Sequence, residues 1–118
     1  MSYSESHKKP GKGASYQDSF HSQKYRKMIW SLEKKYLIKI LNDNFVNKKI
    51  VHLDFACGTG RILKFLEDKT SSSIGIDVSR EMLQVAKNTV NSEIIEGDII
   101  RENLLNNKKF NLITAFRF

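Results

Sequence analysis

Three carboxylates close three short apolar runs in this 118-residue chain: Asp54 after VHL, Asp77 after SSIGI and Asp98 after EIIEG. Asp54 is followed by FACGTG, a loop containing Ala56, Cys57, Gly58 and Gly60, and then by Arg61. A carboxylate accepts hydrogen bonds and attracts cations. Acids around one crevice therefore select an occupant that presents hydrogen donors and positive charge, and they repel phosphates. Gly58 and Gly60 suit a sharp turn whose backbone angles a β-carbon resists, and they let a ligand touch the main chain. Amides opening a helix after that turn carry partial positive charge and favour an anionic group.

The elements that must hold these residues follow from apolar spacing. KIVHLDF, 49 to 55, reads as a buried strand, and SSIGID, 72 to 77, SEII, 92 to 95, and FNLITAF, 110 to 116, as three more. Between the first two, Ile62, Leu63 and Leu66 recur at helical spacing. After Asp77, Ser79 is placed to N-cap a helix carrying Met82, Leu83, Ala86 and Val90, although Met82 stands where a capping box needs Glu or Gln. Alternation of strand and helix predicts an α/β fold, a parallel sheet with flanking helices. Ligands of such sheets bind outside the carboxyl ends of the strands, where strand order reverses. Those ends are Asp54, Asp77, Asp98 and the last residues, Ala115 to Phe118.

Upstream, Ile29, Leu32, Tyr36 and Ile40 predict one amphipathic helix, widened by Leu37 and Leu41 and broken by NDN at 42 to 44. The domain reading is a flexible basic tail over 1–19, a helix over 20–44 and a cofactor-binding domain over 45–118.

Three readings compete for the corner at 54 to 60. A phosphate-binding P-loop needs Gly-Lys-Ser/Thr, which the chain lacks. A dinucleotide site fits Gly58 and Gly60, but its third glycine falls on Leu63, and Asp54 repels a pyrophosphate. The third occupant carries an ammonium, a carboxylate and a sulfonium on an adenosine. Asp54 attracts the ammonium, directly or through water, and helix-end amides hold the carboxylate. Asp77 accepts both ribose hydroxyls, and Asp98 accepts from the adenine amino group while Ile99 or Val78 packs on the ring. That occupant is S-adenosylmethionine.

At these residues the chain resembles the class I S-adenosylmethionine-dependent methyltransferases. VHLDFACGTGRIL resembles the first motif of the family, IGIDVSREML the second, EGDI the third and FNLITAF the fourth strand, with Asn111 where Asp is common. The resemblance spans about residues 45 to 118. It implies a Rossmann-like domain, incomplete at about four of the family's seven strands, with Asp77 in the ribose-binding place and Asp98 in the adenine-contacting place. It departs from the family at Ala56, which occupies the place of the first glycine and predicts tighter packing. The cofactor residues it implies are Asp54, Ala56, Cys57, Gly58, Gly60, Asp77, Val78, Asp98, Ile99 and Ala115. It also points to Phe116, Arg117 and Phe118 beside the transfer centre, and to Tyr16, Tyr25 or Arg26 on a lid helix; core aromatics and a plain surface helix are the simpler readings. A fourth strand ending in ITAFRF predicts an apolar edge, completed by a downstream segment or by self-association.

No catalytic base stands out. His52 lies inside a strand and reads as a packed histidine, and His7 and His21 fall in or beside the tail. Cys57 reads as a small loop residue, since no base accompanies it. No Cys/His pair has metal-ligand spacing. One cysteine excludes an intramolecular disulfide, no apolar run nears the roughly 18 residues of a membrane span, and the N-terminus has no signal-peptide core; a cytoplasmic protein is the default. A formal charge of +7 suits a solvated surface or an RNA partner. The functional reading is a methyltransferase, or its cofactor-binding half, acting on a small-molecule or RNA acceptor. The alternatives are a non-catalytic adenosine-ligand module and a nicotinamide-linked oxidoreductase fragment.

Overall fold

The computed structural model describes residues 16–116, with side chains from Ser22 onward. It comprises helix α1 (Tyr16–Asn44), strand β1 (Val51–Phe55), helix α2 (Arg61–Leu66), strand β2 (Ser72–Asp77), helix α3 (Arg80–Thr89) and strands β3 (Glu93–Glu96) and β4 (Leu112–Thr114). The chain divides into two compact units, Met1–Lys48 and Lys49–Phe118.

Helix α1 starts at Tyr16, inside the segment expected as tail, and runs through NDN to Asn44. Its exposure corrects the expected stripe. Leu37 and Leu41 are buried, whereas Leu32, Tyr36 and Ile40 are exposed. Helical spacing groups all six residues in one stripe and does not by itself fix which of them is buried. No helix among the described residues is long and apolar enough to cross a membrane.

In the second unit the four strands form one sheet in the order β3-β2-β1-β4, and every neighbouring pair is parallel. The chain walks outward from β1 to β3 and then returns to the other side of β1. The switch in direction thus falls between β1 and β4, where a parallel sheet opens a crevice at its carboxyl edge. The four strand runs were expected along the chain but their order in the sheet was not, and β4 is shorter than the run 110 to 116. Its start is set by Asn111, whose Oδ1 accepts from Val51 N at 2.7 Å and whose Nδ2 donates to Lys49 O at 2.7 Å. Asp at this position would lack the second donor.

One sheet face presents Leu53, Ile74, Ile76 and Ile95, packed against Ile99, Leu104, Leu105 and Phe110. The other cluster joins Cys57, Leu63 of α2, and Leu83 and Val90 of the α3 region, with Ile94 against it. Leu63 is fully buried, and Gly75 provides the room: a β-carbon there would fall on Leu63 Cδ1 and 2.9 Å from Cys57 Sγ. The close helix–strand approach that dinucleotide folds obtain from a glycine on the helix is obtained here from one on the strand.

Candidate cofactor site at the carboxyl edge

The loop after β1 is built by main-chain ties to β2. Cys57 N donates to Ile76 O at 3.0 Å, and Gly60 N donates to Cys57 O at 3.1 Å. Asp77 anchors both sides of the turn: its Oδ2 accepts from Gly58 N at 2.8 Å and its Oδ1 from Ser79 N at 2.9 Å. Ser79 in turn caps α3, its Oγ accepting from Met82 N at 3.4 Å. Gly58 and Gly60 take φ of 58° and 91°. Ala56 takes φ of 54°, a left-handed conformation that L-residues with a β-carbon resist. The strain at the family's first glycine position is therefore in the backbone, where the sequence suggested only tighter packing.

These ties occupy two amides of the loop, ahead of the helix-opening amides expected to hold a carboxylate. The amides of Gly58 and Gly60 are satisfied within the protein, and α2 is only six residues long. The loop amides thus fix the turn rather than standing open to an anion.

Asp54 is almost wholly buried at 1% exposure. Its Oδ1 accepts from Thr114 Oγ1 at 2.8 Å, while Oδ2, also buried, has no hydrogen-bond partner among the described residues. Burial pushes this carboxyl up to about 7, against the opposing pull of the Thr114 hydrogen bond and the Arg61 charge, with a further push from Asp77. The Cys57 thiol is pushed up to about 12, first by burial and then by Asp54 and Asp77. Asp54, Cys57 and Asp77 therefore share one electrostatic neighbourhood. An inert thiol agrees with the reading of Cys57 as a loop residue.

The other expected site residues are placed less tightly. Gly97 N donates to Asp77 O at 3.0 Å, which brings the turn carrying Asp98 against the end of β2. The Asp98 side chain serves its own turn, accepting from Ile100 N at 2.9 Å and lying 3.7 Å from Arg101 Nε. Ile99 packs under the sheet with Leu53 and Ile76, whereas Val78 and Ala115 are exposed. Phe116 is half-buried, and Arg117 and Phe118 lie outside the described residues, as does the Tyr16 side chain. An open cleft of about 770 Å³ lies instead at the amino edge of the sheet, lined by Ser71, Ser73, Asn91 and Lys108 among others, and contains none of the three acids. Among the described residues no cluster of His, Cys, Asp or Glu could hold a metal ion.

The partners of Asp54 escaped the sequence. Thr114 and His52 lie on neighbouring strands, His52 Nε2 sits 2.7 Å from Thr114 Oγ1, and His52 Nδ1 sits 3.1 Å from Ser73 Oγ. Burial lowers His52 to about 4, so the ring is neutral near pH 7. The available signal was the alternation of β1, which puts His52 and Asp54 on one face; the partners required the strand order.

A model of the methyltransferase-domain family matches residues 53–118, more than half of the chain. The chain belongs to the class I S-adenosylmethionine-dependent methyltransferase family. Among solved structures, this methyltransferase-family chain is similar to an S-adenosylmethionine-dependent methyltransferase from Clostridium acetobutylicum, with 30% identity and a TM-score of 0.61, over 82% of this chain and 42% of that one. It shares the fold of S-adenosylmethionine-bound CalS10, an amino pentose methyltransferase from Micromonospora echinaspora, at 19% identity and a TM-score of 0.66, over 92% of this chain and 45% of that one. Among curated proteins it is 33% identical, over 78 residues, to an uncharacterized protein of Methanocaldococcus jannaschii, covering 60% of this chain and 30% of that protein. The chain thus spans less than half the length of these relatives. Family membership decides against the nicotinamide-linked alternative.

Proposed function

We propose that the chain supplies the S-adenosylmethionine-binding part of a methyltransferase whose acceptor is a small molecule or an RNA. The observation that carries this reading is the buried, unpartnered Asp54 Oδ2 at the switch between β1 and β4. A buried acceptor without a partner is destabilising until a donor arrives, and a cationic donor compensates it best. An α-ammonium matches that need, so the residues present fit the cofactor.

When bound, the cofactor supplies an electrophilic methyl carbon on a sulfonium leaving group. In this reading Asp54 holds the ammonium. Asp77 directs its remaining lone pairs to the ribose hydroxyls while its backbone bonds keep the loop in place. Asp98 receives the adenine amino group, with Val78 and Ile99 flanking the ring and Ala56, Cys57, Gly58, Gly60 and Ala115 forming the wall. Positioning of this kind carries much of a displacement reaction. None of the groups described around Asp54 acts as a base: His52 is neutral with both ring nitrogens engaged, and the Cys57 thiol stays protonated. The free Cys57 accords with a reducing, cytoplasmic location. Among the described residues strand β4 pairs with β1 alone and leaves Ile113 exposed, which supports completion of the sheet by a downstream segment or by self-association.

Calorimetric titration of the chain tests the reading. S-adenosylmethionine and S-adenosylhomocysteine bind and NAD does not. Asp77→Ala, confirmed as folded by circular dichroism, abolishes that binding; unchanged affinity removes the ribose assignment. Methyl-transfer assays with and without a downstream segment separate an active enzyme from a binding module.

A further inference from the structure

Asp54 ends a chain of hydrogen bonds that crosses β1 and is buried from Ser73 onward. Thr70 Oγ1 lies 2.8 Å from Ser73 Oγ, Ser73 Oγ lies 3.1 Å from His52 Nδ1, His52 Nε2 lies 2.7 Å from Thr114 Oγ1, and Thr114 Oγ1 lies 2.8 Å from Asp54 Oδ1. Strand register assembles it: Ser73 stands opposite His52 on one side, and Thr114 stands opposite Asp54 on the other. Ser73, His52, Thr114 and Asp54 are all buried.

With Asp54 ionised, counting protons gives the chain one direction. Thr114 has a single hydroxyl proton and donates it to the Asp54 carboxylate. Its oxygen must then accept from His52, which puts the ring proton on Nε2. A neutral ring with its proton on Nε2 accepts at Nδ1, so Ser73 donates there and accepts from Thr70. Each member leaves the next a single role, and the last constraint falls on Asp54 Oδ1.

We propose that Thr114, oriented by His52, is a positioning residue that turns the Asp54 carboxylate so that Oδ2 faces the ammonium of the cofactor. The inference rests on the S-adenosylmethionine reading and adds to it the residues that aim the acid. Gly75, opposite Asp54 on β2, has no side chain to offer, and the space beside it is taken by Leu63 and Cys57. Arg61 and Asp77 act on Asp54 through charge, with opposite signs. Thr114 supplies the side-chain hydrogen bond that fixes how the carboxylate is turned.

The test compares S-adenosylhomocysteine with 5′-methylthioadenosine, which keeps the nucleoside and sulfur but lacks the amino-acid end. Thr114→Val, close in volume, lowers the preference for S-adenosylhomocysteine about tenfold and leaves the affinity for methylthioadenosine unchanged. Thr114→Ser restores the preference. In the unliganded chain at pH 9, where Asp54 is ionised, ring ¹⁵N NMR of His52, assigned by its loss in His52→Gln, shows the proton on Nε2. An unaltered preference in Thr114→Val overturns the proposal, as does equal weakening for both ligands or a His52 proton on Nδ1. A wild-type chain that binds neither ligand refutes the cofactor reading itself, and the proposal with it; a chain that binds both while Thr114→Val keeps its preference overturns the positioning role alone.

Discussion

At the scale of single residues, Ala56 and Cys57 show how a shared loop carries different constraints at adjacent positions. Ala56 occupies a left-handed backbone conformation at φ 54°, which costs roughly 1–2 kcal/mol for a residue with a β-carbon. Ala56→Gly removes that strain and should raise stability by about 1 kcal/mol in urea denaturation, less whatever glycine adds to the freedom of the unfolded chain. Cys57 sits one residue further on with its thiol raised to about 12 by burial and by Asp54 and Asp77. A thiol reagent at pH 8 should label it at least a hundredfold more slowly than an unfolded control, since the thiolate is the reactive form. Rapid labelling of the folded chain would show that the loop opens. The motif spacing announced both residues as part of the site. The sign of φ at Ala56 was not legible, because alanine gives no local hint that it is held where glycine is at ease.

At the scale of elements, the starts of α2 and α3 and the ends of β1 and β2 were legible because they are set by neighbours in sequence, whereas the start of α1 and the bounds of β4 were not. Ser79 caps α3 through Met82 N without a capping box, and its own amide is held by Asp77. Ser79→Ala should lower stability by about 1 kcal/mol through loss of the cap, read as a lower urea midpoint. Because the Asp77 bond uses the Ser79 main chain, the variant keeps the loop after β1, and cofactor affinity should change little. Other features depended on partners far along the chain. The third-glycine position of the loop motif is Leu63, and its burial became possible only through Gly75 on the neighbouring strand. In α1 the apolar residues gave one stripe widened by Leu37 and Leu41, and those two are the buried ones while Leu32, Tyr36 and Ile40 are exposed.

For the molecule as a whole, two buried groups with opposite shifts set the pH response. Asp54 is raised from 3.8 to about 7, so its contribution to stability is complete below about pH 4 and is lost as the pH rises through 7. His52 is lowered from 6.5 to about 4, so its contribution is complete above 6.5 and is lost as the pH falls through 4. Between pH 4.5 and 6.5 the two slopes oppose each other, and above 6.5 only the loss from Asp54 continues. Asp54→Asn removes one side of the balance. Its stability should rise with pH by about 1 kcal/mol per unit between 4.5 and 6.5, while the wild-type curve stays nearly flat there. Urea melts across that range measure the difference, and parallel curves would show that the two groups do not titrate as the buried chain requires.

The sequence by itself determined the alternation of strands and helices, the acids at the strand ends and the glycine turn, because each depends on residues within a few positions of one another. Only the tertiary structure decided what those acids face. Asp54 and Thr114 are sixty residues apart, and they meet because β4 crosses back to pair with β1. Strand order is a global outcome of packing both sheet faces, and it alone placed a buried hydroxyl on one carboxylate oxygen and left the other without a donor.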